Sequence, residues 1–126
     1  MAVLAAACCL ILSAPSATAA AATGDIRVYT TDPGHPAAFA WFQPYGEAWG
    51  VCDDQADSRR AIAQLKDLTA GVQYGLVDAT GYDNTCSRAN VLFNITDGHR
   101  VALRVCLRNG AVGPITSCSA WKYTTA

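Results

Sequence analysis

The chain has 126 residues, 9 Lys and Arg against 10 Asp and Glu, a net charge of −1, and 52 % hydrophobic residues. It is too short for two ordinary domains and too apolar for a disordered segment. With only 15 % charged residues and no basic run, it is a poor match to nucleic acid as a partner.

No Asp, Glu, Lys or Arg precedes Asp25. Residues 2–12 form an apolar run, followed by Ser13, Pro15 and the small-residue stretch SATAAAAT. Together these resemble the hydrophobic and cleavage regions of a secretory signal peptide, expected to span residues 1–22. The apolar run falls short of the roughly 20 residues that a membrane-spanning helix needs, so no membrane association is expected after cleavage. Cys8 and Cys9 leave with the signal. Cys52, Cys86, Cys106 and Cys118 remain, and four cysteines in an exported chain read as two disulfides. Three connectivities are possible. Cys106 and Cys118 flank turn signals at Asn109-Gly110 and Gly113-Pro114, which favours Cys106–Cys118 together with Cys52–Cys86.

Residues 23–36 form a polar lead-in with one β-prone run that contains Ile26, Val28 and Tyr29. Such a segment fits two arrangements: a strand that docks on a partner, or the first strand of the domain's own sheet. The domain proper is expected over 37–126. Turn signals recur every 8–14 residues or so, a spacing that suits short strands. Between them lie β-rich runs at 38–42, 47–52, 72–77, 91–95, 100–107 and 118–123. In 100–107, Val101, Leu103 and Val105 alternate with Arg100, Arg104 and Cys106, so the two sets face opposite ways. Residues 58–68 carry both a helical and an alternating pattern; a strand is expected, because a sheet needs closing. The expected fold is all-β, a small antiparallel sandwich of 7–8 strands.

Phe39, Trp41, Phe42, Tyr45 and Trp49 crowd into eleven residues. They read first as core packing, with Trp41 and Trp49 as the candidates for an exposed binding platform. Trp121 and Tyr123 share a face of their strand, with Lys122 on the other. The stretch Asp53-x-Gln55-x-Asp57 imitates the opening of a calcium loop, but Ser58 and Gln64 stand where its Gly and bidentate Glu belong. An acidic turn paired with Arg59 or Arg60 is expected instead. One Glu and two His make a thin catalytic inventory, so neither enzymatic activity nor a cofactor or metal is expected.

One combination is more specific. It runs Tyr45-Gly46-Glu47, Gly50-Val51-Cys52-Asp53-Asp54-Gln55-Ala56-Asp57, Cys86 with Asn90, Asp97-Gly98, Arg104-Val105-Cys106 and Cys118-Ser119. This resembles the small secreted four-cysteine β-sandwich proteins of actinobacteria, and within them is similar to the small adaptor subunit of umbrella toxin particles. The resemblance covers nearly all of 38–126. At Ser58 the chain departs from it, since relatives often carry Gly there. The resemblance implies an extracellular, non-enzymatic adaptor in an antibacterial toxin complex. Its partners would be larger secreted proteins, a repeat-bearing toxin polypeptide and a trypsin-like, lectin-associated subunit. The residues themselves offer Ile26, Val28 and Tyr29 of the lead-in strand, and Trp41 and Trp49 as ring platforms, as the partner-binding candidates. A hydrolase inhibitor and a small carbohydrate-binding module are the alternative readings.

Overall fold

A computed structural model of the protein describes residues 24–45 and 47–126; the signal-peptide reading of 1–22 lies outside them. The described chain is all-β. Its strands are β1 (Ile26–Tyr29), β2 (Ala38–Gln43), β3 (Ala48–Asp53), β4 (Arg59–Asp67), β5 (Val72–Asp78), β6 (Ser87–Arg88), β7 (Arg100–Asn109), β8 (Ile115–Thr116) and β9 (Lys122–Thr125). They form two antiparallel sheets. The first has the order β1-β2-β3-β6; the second runs β5-β4-β7, with both β8 and β9 on the far edge of β7. Disulfides join Cys52 to Cys86 and Cys106 to Cys118, the favoured pairing.

The inner faces are set by alternation. Ile26, Val28, Ala40, Phe42, Trp49 and Val51 from the first sheet meet Ala61, Ala63, Leu65, Val101, Leu103, Val105 and Leu107 from the second. The alanines leave room for the rings of Phe42 and Trp49, so large and small side chains share one layer. This alternation also decides the ambiguous 58–68 stretch. β4 is paired along its length with β7 and with β5, and its buried Ala61, Ala63 and Leu65 override the local helical propensity.

β1 belongs to the domain's own sheet. It pairs with β2 from Ile26↔Phe42 to Tyr29↔Phe39, and Ile26 and Val28 are only 5 % and 6 % exposed. Its ends are tied to the other sheet: the Thr31 N–H donates to the Ser117 carbonyl at 3.0 Å, and the Thr124 hydroxyl donates to the Gly24 carbonyl at 2.9 Å.

Two expected strands shift. Residues 91–95 do not form one, and the pairing with β3 falls to β6. Asn90 turns the chain instead. Its side-chain oxygen accepts the Leu92 N–H at 2.9 Å and its carbonyl accepts the Phe93 N–H at 2.9 Å. Phe93 and Ile95 then return to the core, and Val91 is left 98 % exposed. The last strand begins at Lys122 rather than Cys118, because Cys118 is held by its disulfide and Ser119 bonds the Val105 backbone in both directions.

The acidic turn forms as expected. Asp57 accepts the Arg59 N–H at 2.9 Å and its side-chain Nε at 2.7 Å, and Asp53 accepts the Gln55 N–H at 3.1 Å. Ser58, next to Asp57, has a φ of 63°, left-handed backbone that favours Gly. Among the described residues no cluster of three or more His, Cys, Asp and Glu could hold a metal ion.

Candidate interaction surface

The same alternation that fills the core fixes what the first sheet turns outward. Register opposes Arg27 to Trp41, Tyr29 to Phe39 and Trp41 to Gly50, and Gly50 to Arg88. These outward positions carry few of the small polar residues usual on a solvated sheet face. Tyr29 and Phe39 have ring centroids 6.0 Å apart, and Phe39 and Trp41 are 6.3 Å apart. The Arg27 guanidinium lies 4.7 Å above the Phe39 ring and that of Arg88 lies 5.1 Å above Trp41. Each contact adds cation–π attraction and holds a long side chain in place. Neither arginine has a salt bridge among the described residues.

Gly50 is what lets Trp41 lie down on β3. A Cβ there would sit 2.7 Å from the Ser87 carbonyl oxygen and closer still to the far edge of the Trp41 ring. Beside the ring, a concavity of about 250 Å³ is lined by Trp41, Glu47, Trp49, Arg88 and Val91, among others. One carboxylate oxygen of Glu47 accepts the Ile95 N–H at 2.7 Å, which ties the 90–95 turn to the start of β3.

Of the residues expected to bind partners, Tyr29 (50 % exposed) and the half-buried Trp41 lie on this face. Ile26, Val28 and Trp49 do not; they fill the core. For Trp49, at 2 % exposure, the expectation of a surface ring is corrected. Register sets Trp49 opposite Phe42, on the inner side, where it packs on Phe93 with centroids 5.7 Å apart. Arg27, Phe39 and Arg88 were not anticipated. The first two could have been found by alternation once Ile26 and Val28 were placed inward. Arg88 sits in a two-residue strand with no pattern to read.

The two histidines lie elsewhere. His35 is exposed on the β1–β2 connection, whereas His99 Nδ1 is 2.8 Å from the Asp67 carboxylate. Burial would raise the Asp67 carboxyl, but hydrogen bonds from His99, Ala70 and Thr69 outweigh it and hold the group below its ordinary range. No family model, curated protein or solved structure matches this chain.

Proposed function

We propose that this protein is a secreted, non-enzymatic protein–protein interaction module, an adaptor that joins subunits of a secreted antibacterial toxin complex. The observation that carries the reading is the outward face of the first sheet. Tyr29, Phe39 and Trp41 stand in one row, with Arg27 and Arg88 stacked over its rings. Tyr, Trp and Arg are the residues that concentrate binding energy at protein interfaces. Rings held by neighbouring strands lose little freedom on docking, which favours affinity. The two disulfides suit an oxidising, extracellular setting. The choice of partners, a repeat-bearing toxin polypeptide and a trypsin-like lectin-associated subunit, comes from the sequence resemblance alone.

The test is capture by the tagged mature protein from its native culture medium under non-reducing conditions, read by mass spectrometry. Larger secreted proteins are expected to co-elute at fixed ratios. A Tyr29→Ala, Trp41→Ala pair is expected to lower that capture by about 30-fold or more, the effect of losing about 2 kcal/mol at a hot spot, with its melting temperature held. Undiminished capture by the variant would remove this face from the interaction. A protein that emerges alone would overturn the adaptor reading.

A further inference from the structure

The second sheet has a different outward face, and its charge is one-sided. The alternation that buries Ala61, Ala63, Leu65, Val101, Leu103, Val105 and Leu107 turns Arg60, Gln64 and Lys66 of β4 and Arg100, Arg104 and Arg108 of β7 outward. Five of the chain's 9 Lys and Arg thus share one surface. The acids on the strands of this sheet, Asp67 of β4 and Asp78 of β5, are both buried. Among the described residues, the salt bridges are confined to Arg59 and His99, so none of the five cations is neutralised by a carboxylate.

Folding alone gives no reason for this arrangement. Register sets Arg60 directly opposite Arg108, a like-charge pair that weakens a sheet, and the Arg108 Nε is buried without an acceptor. Two aromatic rings hold other cations in place without cancelling their charge. Lys66 Nζ and the Arg104 guanidinium lie 4.3 Å and 4.7 Å from the Trp121 ring, and the Arg100 guanidinium lies 5.0 Å from Tyr123. Arg104 is further oriented by its Nε, which donates to Gln64 at 2.6 Å.

We infer that this face docks a protein surface rich in Asp and Glu carboxylates. The inference rests on the interaction-module reading and adds to it the chemistry of a second partner site. Charge complementarity names the occupant: positioned guanidinium groups match carboxylates in two-pronged fashion. At about 3.4 Å per residue, Arg100, Arg104 and Arg108 stand about 14 Å apart along β7. With strands about 4.8 Å apart, β5, β4, β7 and the shared β8 and β9 edge make a face on the order of 500 Å², roughly two thirds of the ~800 Å² that each partner contributes to a standard interface. The mixture of Arg, Trp and Tyr is that of a protein interface.

The experiment is titration of the mature protein with poly-L-glutamate, and separately with polyphosphate of equal charge, at low and at physiological salt. Binding of poly-L-glutamate that weakens with salt is expected, along with at least a 10-fold loss in the Arg100→Gln, Arg104→Gln pair. Arg59→Gln removes a cation already paired with Asp57 and is expected to change binding less than two-fold. Melting curves accompany each variant, and Arg108→Gln, which relieves the repulsion with Arg60, is expected to melt no lower than the parent. Absence of binding at low salt, an unaffected pair variant, or an equal loss in Arg59→Gln would overturn the inference. Tighter binding of polyphosphate would overturn it as well, by assigning the face to a phosphate polymer. Because capture through Tyr29 and Trp41 is measured separately, failure here leaves the module reading standing, and failure there leaves this titration to be judged by itself.

Discussion

Asp53 and Ser58 sit five residues apart in the acidic turn, and both carry a cost that a single substitution removes. At a φ of 63°, Ser58 holds a backbone that costs a non-Gly residue about 1–2 kcal/mol. Glycine is free of that cost but loses about 0.5–1 kcal/mol to its greater unfolded freedom. Ser58→Gly is therefore expected to raise the melting temperature by a few degrees, at about 4–8 °C per kcal/mol for a domain of this size. Ser58→Ala, which removes the same hydroxyl and keeps the Cβ, is expected to give no rise in the same melts. Asp53 is buried, and burial, together with the charges of Asp57 and Asp78, raises its carboxyl above the ordinary value. Its folded form therefore holds the proton to higher pH than the unfolded form. The stability it contributes falls as pH rises through that window, and the charged state is penalised in full above it. Asp53→Asn keeps an acceptor for the Gln55 N–H and carries no charge. It is expected to melt above the parent at pH 7, with the gap closing at about pH 3, below the ordinary aspartate pKa. A gap of equal size at both pH values would show that the buried charge is not the cause.

Among the elements, β1 tests how the leading segment is used. Its two inward side chains are each worth about 1.5–3 kcal/mol of burial, and they cover the edge of a core that includes Ala40 and Phe42. Deletion through Pro36 is expected to abolish cooperative melting, whereas Tyr29→Ala, on the outward side, is expected to leave it within a few degrees. A truncated protein that melts like the parent would make the segment a docking arm after all. Alternation made β7 legible, because period-two spacing records burial directly; β4 carried a helical pattern as well, and was expected as a strand only because a sheet needs closing. The 91–95 run misled because it is β-prone in composition, while the Asn90 side chain and carbonyl form a turn ahead of it. The candidate surface was half legible for a related reason. Trp41 and Trp49 lie on adjacent strands, and only the register across the 44–47 turn, which pairs Trp41 with Gly50 and Phe42 with Trp49, decides which ring goes out. Composition cannot supply that register. Arg27 and Phe39 follow from it once it is known, whereas Arg88 follows only from the pairing of β3 with β6.

For the whole molecule, the disulfides join stability to both outward faces. The Cys52–Cys86 bridge spans 34 residues and lies beside Phe39, Trp41 and Arg88 on the first sheet. The Cys106–Cys118 bridge spans 12 and fastens to β7 the segment that leads to Trp121. Loop closure in the unfolded chain makes the longer bridge worth about 4 kcal/mol and the shorter about 3 kcal/mol. A domain of this size has about 5–15 kcal/mol in all. Either loss alone is therefore tolerable, and both together reach the lower end of that range. Cys106→Ala with Cys118→Ala is expected to melt roughly 12–24 °C lower, at about 4–8 °C per kcal/mol, and to remain cooperative. Loosening its Trp121 segment should also weaken poly-L-glutamate binding, because Lys66 and Arg104 lose the ring that positions them. Cys52→Ala with Cys86→Ala should melt lower still and leave poly-L-glutamate binding intact at temperatures where it is folded. Melting curves paired with that titration separate the two effects. If both pairs lost stability while neither altered binding, the second bridge would be a staple alone, and the ordering of the cationic face would rest on the β4–β7 pairing by itself.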